Sequence, residues 1–449
     1  SIDLNLITLK ATNNKDMKRN FILLVLLYSI MFQTRAQEVL TLEDALKTTL
    51  SNNFNILLAR NDNNIDVENT SLGSAGMLPA VTGTFNRSNS IQNSRQVRAD
   101  GQIQQISNAK NDNMSYGVNL NWTIFDGLGM FARRDRFKEI QRQGEAEIKY
   151  QVITQLSEVM ATYYNLVQQK RLINALDTTI ALSRYRVTLA ENRLEIGKGS
   201  KLDLLNAKVD LNTDQTNLLR QQESFKNTKT YLNQLMTRDL SLDFQVEDEM
   251  KLDTDLKLGN LIEIADRQNP QIQLAIINNR VAELNLKAVK AERYPKIGLN
   301  SGYNWNESHS SLGFSTENKN RGLTYGVSAS LNIFNGFLQN RNERIAKFQI
   351  KGSELQIQQQ KQDIQAQVRT LFQTYITNME LAHVERKNEE LAKENLNITM
   401  DKFRIGTITT LEVRTAQLNY INVMTRSYTA QYDAKVSEIR LKELTGETY

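Results

Sequence analysis

Along this chain the apolar positions change period, and later change it again in the same order. Between residues 115 and 125, Tyr116, Val118, Leu120, Trp122 and Ile124 alternate with Gly117, Asn119, Asn121 and Thr123, the period-two pattern of a strand with one apolar face. From Val152 the spacing becomes three and four, through Leu156, Val159, Tyr163 and Leu166 and then Ile173, Leu176 and Ile180, which predicts an amphipathic helix. Further on, Tyr325, Val327, Ala329, Leu331 and Ile333 oppose Gly326, Ser328, Ser330 and Asn332. Helical spacing follows through Ile364, Val368, Leu371 and Tyr375, less cleanly at Met379. Weaker alternation through Val81 and Phe85, and through Ile297, Leu299 and Tyr303, predicts a partner strand for each.

The recurrence has a fixed register. Tyr116-Gly117, Phe125-Asp126-Gly127, Leu194-Glu195-Ile196-Gly197 and Leu202-Asp203 return 209 residues later as Tyr325-Gly326, Phe334-Asn335-Gly336, Phe403-Arg404-Ile405-Gly406 and Leu411-Glu412. Asn53 and Pro79 match Asn269 and Pro295 at an offset of 216, so the difference of seven falls between Pro79 and Tyr116. Two copies of one unit sharing a core is the physical meaning of such a repeat. The predicted division is a first repeat at 37–237, an irregular acidic belt at 238–258 and a second repeat at 259–449.

Within each repeat a short helix (Leu42 to Leu72; Asn260 to Glu292) precedes a strand pair, at 78–86 with 115–125 and at 296–305 with 323–334. Long helices follow at 128–196 and 337–405, then a glycine turn and return helices at 201–236 and 410–445. No proline interrupts either long stretch, and a helix of that length extends about 105 Å. Compact domains do not accommodate it, which predicts coiled-coil-like rods. Two short helices end to end match one rod in length. The stretches 87–113 and 306–321 are polar and read as loops.

Composition removes many chemistries. Cysteine is absent and only three prolines occur, which excludes disulfides and thiolate metal sites. The formal charge is +5, but Lys10, Lys15, Lys18, Arg19 and Arg35 against Asp3 and Asp16 place +3 of it before Gln37. The remaining +2 is no nucleic-acid footprint. Met17-Lys18-Arg19, the apolar run Phe21 to Phe32 and the small-residue site Thr34-Arg35-Ala36 predict a secretory leader at 17–36 after an upstream extension at 1–16. An uncleaved anchor is the alternative, although twelve residues of helix span about 18 Å against the roughly 30 Å of a bilayer core.

His309 falls in a polar stretch and His383 on a helix, with no second His or Cys to complete a metal site. No phosphate-cradling glycine loop or paired nucleophile and base occurs. The acidic run from Glu247 to Asp255 lacks the spacing of a Ca²⁺ loop and reads as a solvated belt. No catalytic residue, metal site or cofactor is therefore expected.

Strands of about nine to eleven residues with one apolar face suit a transmembrane β-barrel, and equally a half-buried sheet in a soluble domain. Tyr116, Trp122, Tyr303, Trp305 and Tyr325 are the candidate membrane-interface aromatics. Four strands cannot close a barrel, and an open edge in hydrocarbon leaves backbone groups unsatisfied. A barrel needs at least eight strands, so two or three chains would have to share one.

The ordered set of these motifs, repeated at constant offset from Gln37 to Gly446, resembles the TolC family of outer-membrane efflux and secretion channels. The resemblance implies a mixed α/β membrane protein: a homotrimer with a long α-helical coiled-coil tunnel in the periplasm and a twelve-stranded transmembrane β-barrel in outer-membrane lipid. It implies a passive exit duct of a tripartite efflux pump, served by a periplasmic adaptor protein and an inner-membrane transporter. The exit channel of a type I protein-secretion system is an alternative within the family, and a periplasmic coiled-coil adaptor without a pore is one outside it.

By the same resemblance the turns Ile196-Gly197-Lys198-Gly199 and Ile405-Gly406-Thr407-Ile408 dock the adaptor, besides ending their helices as glycine turns do. Glu412 matches the first of two acidic pore rings, with Thr415 at the second, and Asp203 matches a position that holds the entrance shut. Phe403 and Ile408 replace the family's Tyr and Arg partners of that aspartate, which leaves Arg404 or Arg414 to hold a closed state. An ordinary helix-start carboxylate is the competing interpretation of Glu412.

Overall fold

The computed structural model describes residues 39–97, 99–311 and 315–447; the expected leader and upstream extension lie outside them. The chain divides into two compact units, one from residues 39–45, 162–234 and 238–250 and the other from 46–161, 235–237 and 251–447.

The first unit is a helical hairpin with a small tie. Helix α3 (Gly129–Glu195) contributes its second half, and α4 (Lys201–Leu235) returns after a turn in which Gly197 has φ 72°. Leu176, Ile180, Ala190 and Ala207 are buried between them. Arg186, almost fully buried, pairs with Asp210 at 2.9 Å, and Ser183 donates to Asp214 at 2.6 Å. The belt expected to be irregular carries a strand, β4 (Gln245–Val246), parallel to β1 (Val39–Leu40). Tyr163 holds this tie, donating to the Leu40 carbonyl at 3.0 Å and accepting the Glu247 N–H at 3.1 Å. Burial pushes its phenol up to about 12. Asp248 of the acidic run pairs with Arg171 at 2.9 Å.

The second unit holds the sheet and the remaining helices. The short helices expected as continuous are each broken at asparagine: α1 (Leu42–Asn52) from α2 (Phe54–Asn69), and α5 (Leu258–Gln268) from α6 (Pro270–Ala291). Asn53 Oδ1 accepts the N–H groups of Asn55 and Ile56, while its Nδ2 donates to the Leu235 carbonyl at 2.7 Å. Asn269 does the same for Gln271 and Ile272, and donates to Leu444 at 2.9 Å. One buried amide thus caps a helix N-terminus and satisfies an orphan carbonyl at the C-terminus of a return helix. Asn269 followed by Pro270 at the first helical position is itself a helix-start signal, whereas the break at Asn53 has no proline to mark it.

Helices α7 (Leu338–Arg404) and α8 (Thr410–Thr445) pack against α5 and α6 over Leu261, Ala265, Ile272, Ile364, Val368, Tyr375 and Leu441. Leu338 follows Gly129 by 209 positions, and both long helices have 67 residues. Lys442 pairs with Asp253 at 3.0 Å, engaging the far end of the acidic run, and Tyr375 donates to the Asp253 carbonyl.

Four strands, β2 (Ala80–Val97), β3 (Ile103–Asp126), β5 (Lys296–Ser310) and β6 (Glu317–Ser330), form an antiparallel sheet in the order β2-β3-β5-β6. They run well past the expected ends, through most of the stretches read as polar loops. There polar residues dominate both faces, with exceptions such as Ile91 and the Val97–Ile103 pair, so alternation fades although pairing continues, reinforced by cross-strand ion pairs such as Arg87 with Asp112 at 2.7 Å. At the other end β6 stops at Ser330, short of the expected residue 334.

Candidate functional site

Directly paired residues of an antiparallel sheet point to the same side, so the register sorts each strand onto two faces. One face carries Phe85, Tyr116, Trp305 and Arg321 in a row, then Val118, Tyr303 and Leu323, then Val81, Leu120 and Tyr325, then Trp122, Leu299 and Val327. Tyr116 stacks on Trp305 with centroids 5.3 Å apart, and Tyr303 meets Trp305 edge-on at 4.5 Å. Trp122 lies six positions along the strand from Tyr116, about 20 Å at strand rise, and its indole donates to the Met77 carbonyl at 2.8 Å. Tyr325 is 83 % exposed in the isolated chain, among other large exposed apolar side chains on this face. All five candidate interface aromatics therefore share one side of one sheet.

The opposite face is polar. Asn304 donates to Asn119 at 3.1 Å, and Asn119 donates to Thr84 at 3.3 Å. Asn304 lies over Gly117, where a Cβ would stand 2.0 Å from its Oδ1, and Asn119 lies over Gly302, where the figure is 2.4 Å.

Two corners lead from strand to long helix. In the first, Asp126 accepts the Met130 N–H at 2.9 Å and pairs with Arg133 at 2.7 Å; Gly127 and Leu128 take φ of 70° and 68°. In the second, Asn335 accepts the Gln339 N–H at 3.3 Å, with Gly336 and Phe337 at 66° and 63°. The acid or amide caps the helix, and the glycine makes the left-handed step it tolerates best.

At the opposite end of α3, Lys198 N donates to the Arg193 carbonyl at 2.8 Å, the six-to-one bond of a glycine-terminated helix. A Cβ on Gly199 would stand 2.9 Å from that of Arg193. Ile196 and Leu202 are exposed. Independently, α7 ends at Gly406 (φ 85°), with Thr407 N donating to Lys402 at 3.1 Å and Ile405 and Leu411 exposed. Each tip thus presents an exposed isoleucine and an exposed leucine, with Leu205 exposed beside the first; in the sequence these leucines mark the repeat, and nothing there distinguishes them as surface residues.

The candidate gate residues are engaged locally. Glu412 accepts from Thr409 N at 2.7 Å and Thr409 Oγ1 at 2.9 Å, a capping box. Those bonds, the backbone one foremost, hold its carboxyl below the usual glutamate range. In the first repeat Ser200 donates to Asp203 at 2.7 Å, and Asp203 N donates back to Ser200 at 3.0 Å. Ser200-x-x-Asp203 and Thr409-x-x-Glu412 were legible as cap signals. Phe403 is fully buried and Arg414 nearly so, Arg404 pairs with Asp401 on its own helix at 3.3 Å, and Thr415 bonds back to the Leu411 carbonyl.

His309 sits in β5 and not in a loop, with Nε2 3.7 Å from Glu307 and 3.4 Å from Glu317. Lys319 lies between the two carboxylates, at 3.0 and 2.5 Å, and satisfies them. His383 is exposed on α7. Among the described residues no helix is long and apolar enough to cross a membrane, which says nothing of strands.

Residues 45–238 and 261–447 match the family model for outer membrane efflux proteins. The chain is 21% identical over 414 residues to the outer membrane efflux protein BepC of Brucella suis, covering 90% of this chain and 85% of that one. It is 20% identical over 348 residues to the outer membrane protein TolC of Escherichia coli, covering 74% and 69%. The solved outer-membrane channel OprN superposes with a TM-score of 0.73 at 16% identity, over 91% of this chain and 90% of that one, so the two share a fold.

Proposed function

Since this chain belongs to the outer membrane efflux protein family and is thus a protein of the bacterial outer membrane, we propose that it is the exit duct of a tripartite efflux pump. It is passive in itself: three copies form the conduit, and a periplasmic adaptor and an inner-membrane transporter open it. The observation that carries this reading is the sheet, apolar and aromatic on one face and polar on the other, continuing through two capped corners into two 67-residue helices. Strands β2 and β6 each pair on one side only among the described residues. Edges of that kind in hydrocarbon cost several kcal/mol per unsatisfied group, so neighbouring copies must supply their partners.

In this reading Glu412 from three copies rings the entrance and favours cations, with Phe403, Arg404, Arg414 and Thr415 on the same hairpin, and Asp203 is the corresponding carboxylate of the first repeat. The tips at 196–199 and 405–408 receive the adaptor through Ile196, Leu202, Ile405 and Leu411. The family is one of channels and not of enzymes, and energy comes from the transporter.

Purified protein in planar bilayers should conduct once the entrance is opened, and Glu412→Gln should lower cation preference and block by multivalent cations. Protein that never conducts would reject the duct. In a deletion strain, raised drug susceptibility supports efflux, and loss of a secreted protein with unchanged susceptibility would assign it to type I secretion instead.

A further inference from the structure

Among the described residues, every charge between the Thr123–Gly298–Ser328 row and the Ser90–Asn111–Ser310 row lies on the apolar face; Lys296, on the other face, stands in the sheet's first row, outside that span. Arg87, Asp112, Glu307, Glu317, Lys319 and Arg321 all share the side of Phe85 and Trp305, at or beyond the upper aromatic row. From the Thr123–Gly298–Ser328 row to the Ser90–Asn111–Ser310 row, the other face contains only Asn, Ser, Thr, Gly and Ala among the described residues. This is the reverse of what burial alone would select, since a water-facing wall tolerates charge freely while a lipid-facing one does not.

The neutral face is built and not merely left bare. Asn304 and Asn119 lie flat over Gly117 and Gly302 and bond to one another, and further along Ser308 donates to Asn113 at 2.7 Å and Ser310 to Asn111 at 2.5 Å. In these pairs the side-chain dipoles are spent on cross-strand bonds and not turned toward the passage. A wall of one sign raises the local concentration of opposite ions by about tenfold or more, and identical copies around an axis would multiply any charge placed there.

Resting on the duct reading above, we propose that the β-lined exit is charge-blind. It passes anionic, cationic and neutral cargo alike, and any charge selection happens at the helical entrance. The substrate class set at this site is therefore polar or apolar solute of either sign.

The absence of cysteine makes a direct test possible with the full chain in membranes. Asn304→Cys, Asn119→Cys and Thr84→Cys are modified in turn by a cationic and an anionic methanethiosulfonate of similar size, with rates normalised to those of a free thiol in solution. Val327→Cys, on the apolar face, is the control and should react with neither. The expected result is reaction at all three positions with normalised cation-to-anion ratios within about threefold of one. A bias of about tenfold or more, the size of a focused field, would overturn the neutral exit while leaving the duct intact. Absence of reaction with either reagent at correctly assembled protein would mean that this face does not line water, which defeats the duct reading itself.

Discussion

At Asp126–Leu128 and again at Asn335–Phe337 the chain makes the same turn from strand into long helix, with two successive left-handed residues each time. The surroundings differ. A Cβ on Gly127 would stand 2.3 Å from the Ala291 carbonyl oxygen and 2.7 Å from Tyr294, whereas one on Gly336 meets nothing within 4 Å. Asp126 is 5 % exposed, but Ile333, Phe334 and Phe337 at the second corner are 93, 73 and 68 % exposed, with the two phenylalanine rings edge-on at 5.3 Å. The first corner is roofed by the end of α6, from the following repeat; among the described residues nothing takes that place over the second. Local conformation is thus encoded twice, whereas packing is completed once within a chain.

The largest effect should follow from Gly127→Ala, where positive φ and backbone overlap act together and cost about 3 kcal/mol or more. The measurement is the yield and heat resistance of assembled protein. Gly336→Ala carries the conformational term alone, about 1–2 kcal/mol. Equal damage from both variants would break the contrast by showing that the second corner is equally enclosed in the assembly.

Next, Phe334→Ala with Phe337→Ala should leave the helical circular dichroism unchanged and shift the oligomer toward monomer. Each side chain is worth roughly 1.5–3 kcal/mol if a neighbouring copy buries it. Unaltered assembly in detergent would mean that lipid, and not protein, covers this cluster.

A smaller difference separates the helix junctions. Gly446 takes φ 75° after α8, and its counterpart Thr237 takes 51° after α4. A β-branched residue is strained there, so Thr237→Gly should stabilise by about 1 kcal/mol, seen as a higher unfolding midpoint. Gly446→Ala should do the opposite, since its Cβ would stand 2.6 Å from the Gln268 carbonyl oxygen.

The least effect concerns the tips. Because Glu412 is held below its ordinary range by Thr409, its charge and its cap are fully present above the usual glutamate value and vanish as pH falls through the lowered one. Cation preference in bilayers should accordingly persist to lower pH than a free glutamate would allow. Thr409→Ala, which removes the hydroxyl bond and keeps the backbone one, should move that midpoint part of the way up; an unmoved midpoint would detach the cap from the gate.

Local rules were legible because they repeat: period-two alternation from Tyr116 to Ile124, the Asp126-Gly127 and Asn335-Gly336 corners, and the glycine turns at 197 and 406 depend on neighbours within about four residues. At the helix breaks the Asn269-Pro270 cap was legible in kind, but the carbonyls that Asn53 and Asn269 serve, 182 and 175 positions away, were not. Strand continuation beyond Asn86 was hidden likewise, because polar pairing across strands leaves no hydrophobic period. Of the candidate site, the sequence placed the acids and aromatics but not what they touch.

By itself, then, the sequence determined which residues are apolar, where the chain must turn, and that it does so twice, because those properties belong to side chains and their near neighbours. Only the tertiary structure decided that the charges between the Thr123–Gly298–Ser328 and Ser90–Asn111–Ser310 rows all share the aromatic face, that Asn53 and Asn269 reach the carbonyls of return helices, and that one corner is roofed while the other lies open. Register and long-range contact fix these, and both arise from pairing segments that the chain itself separates by tens to hundreds of residues.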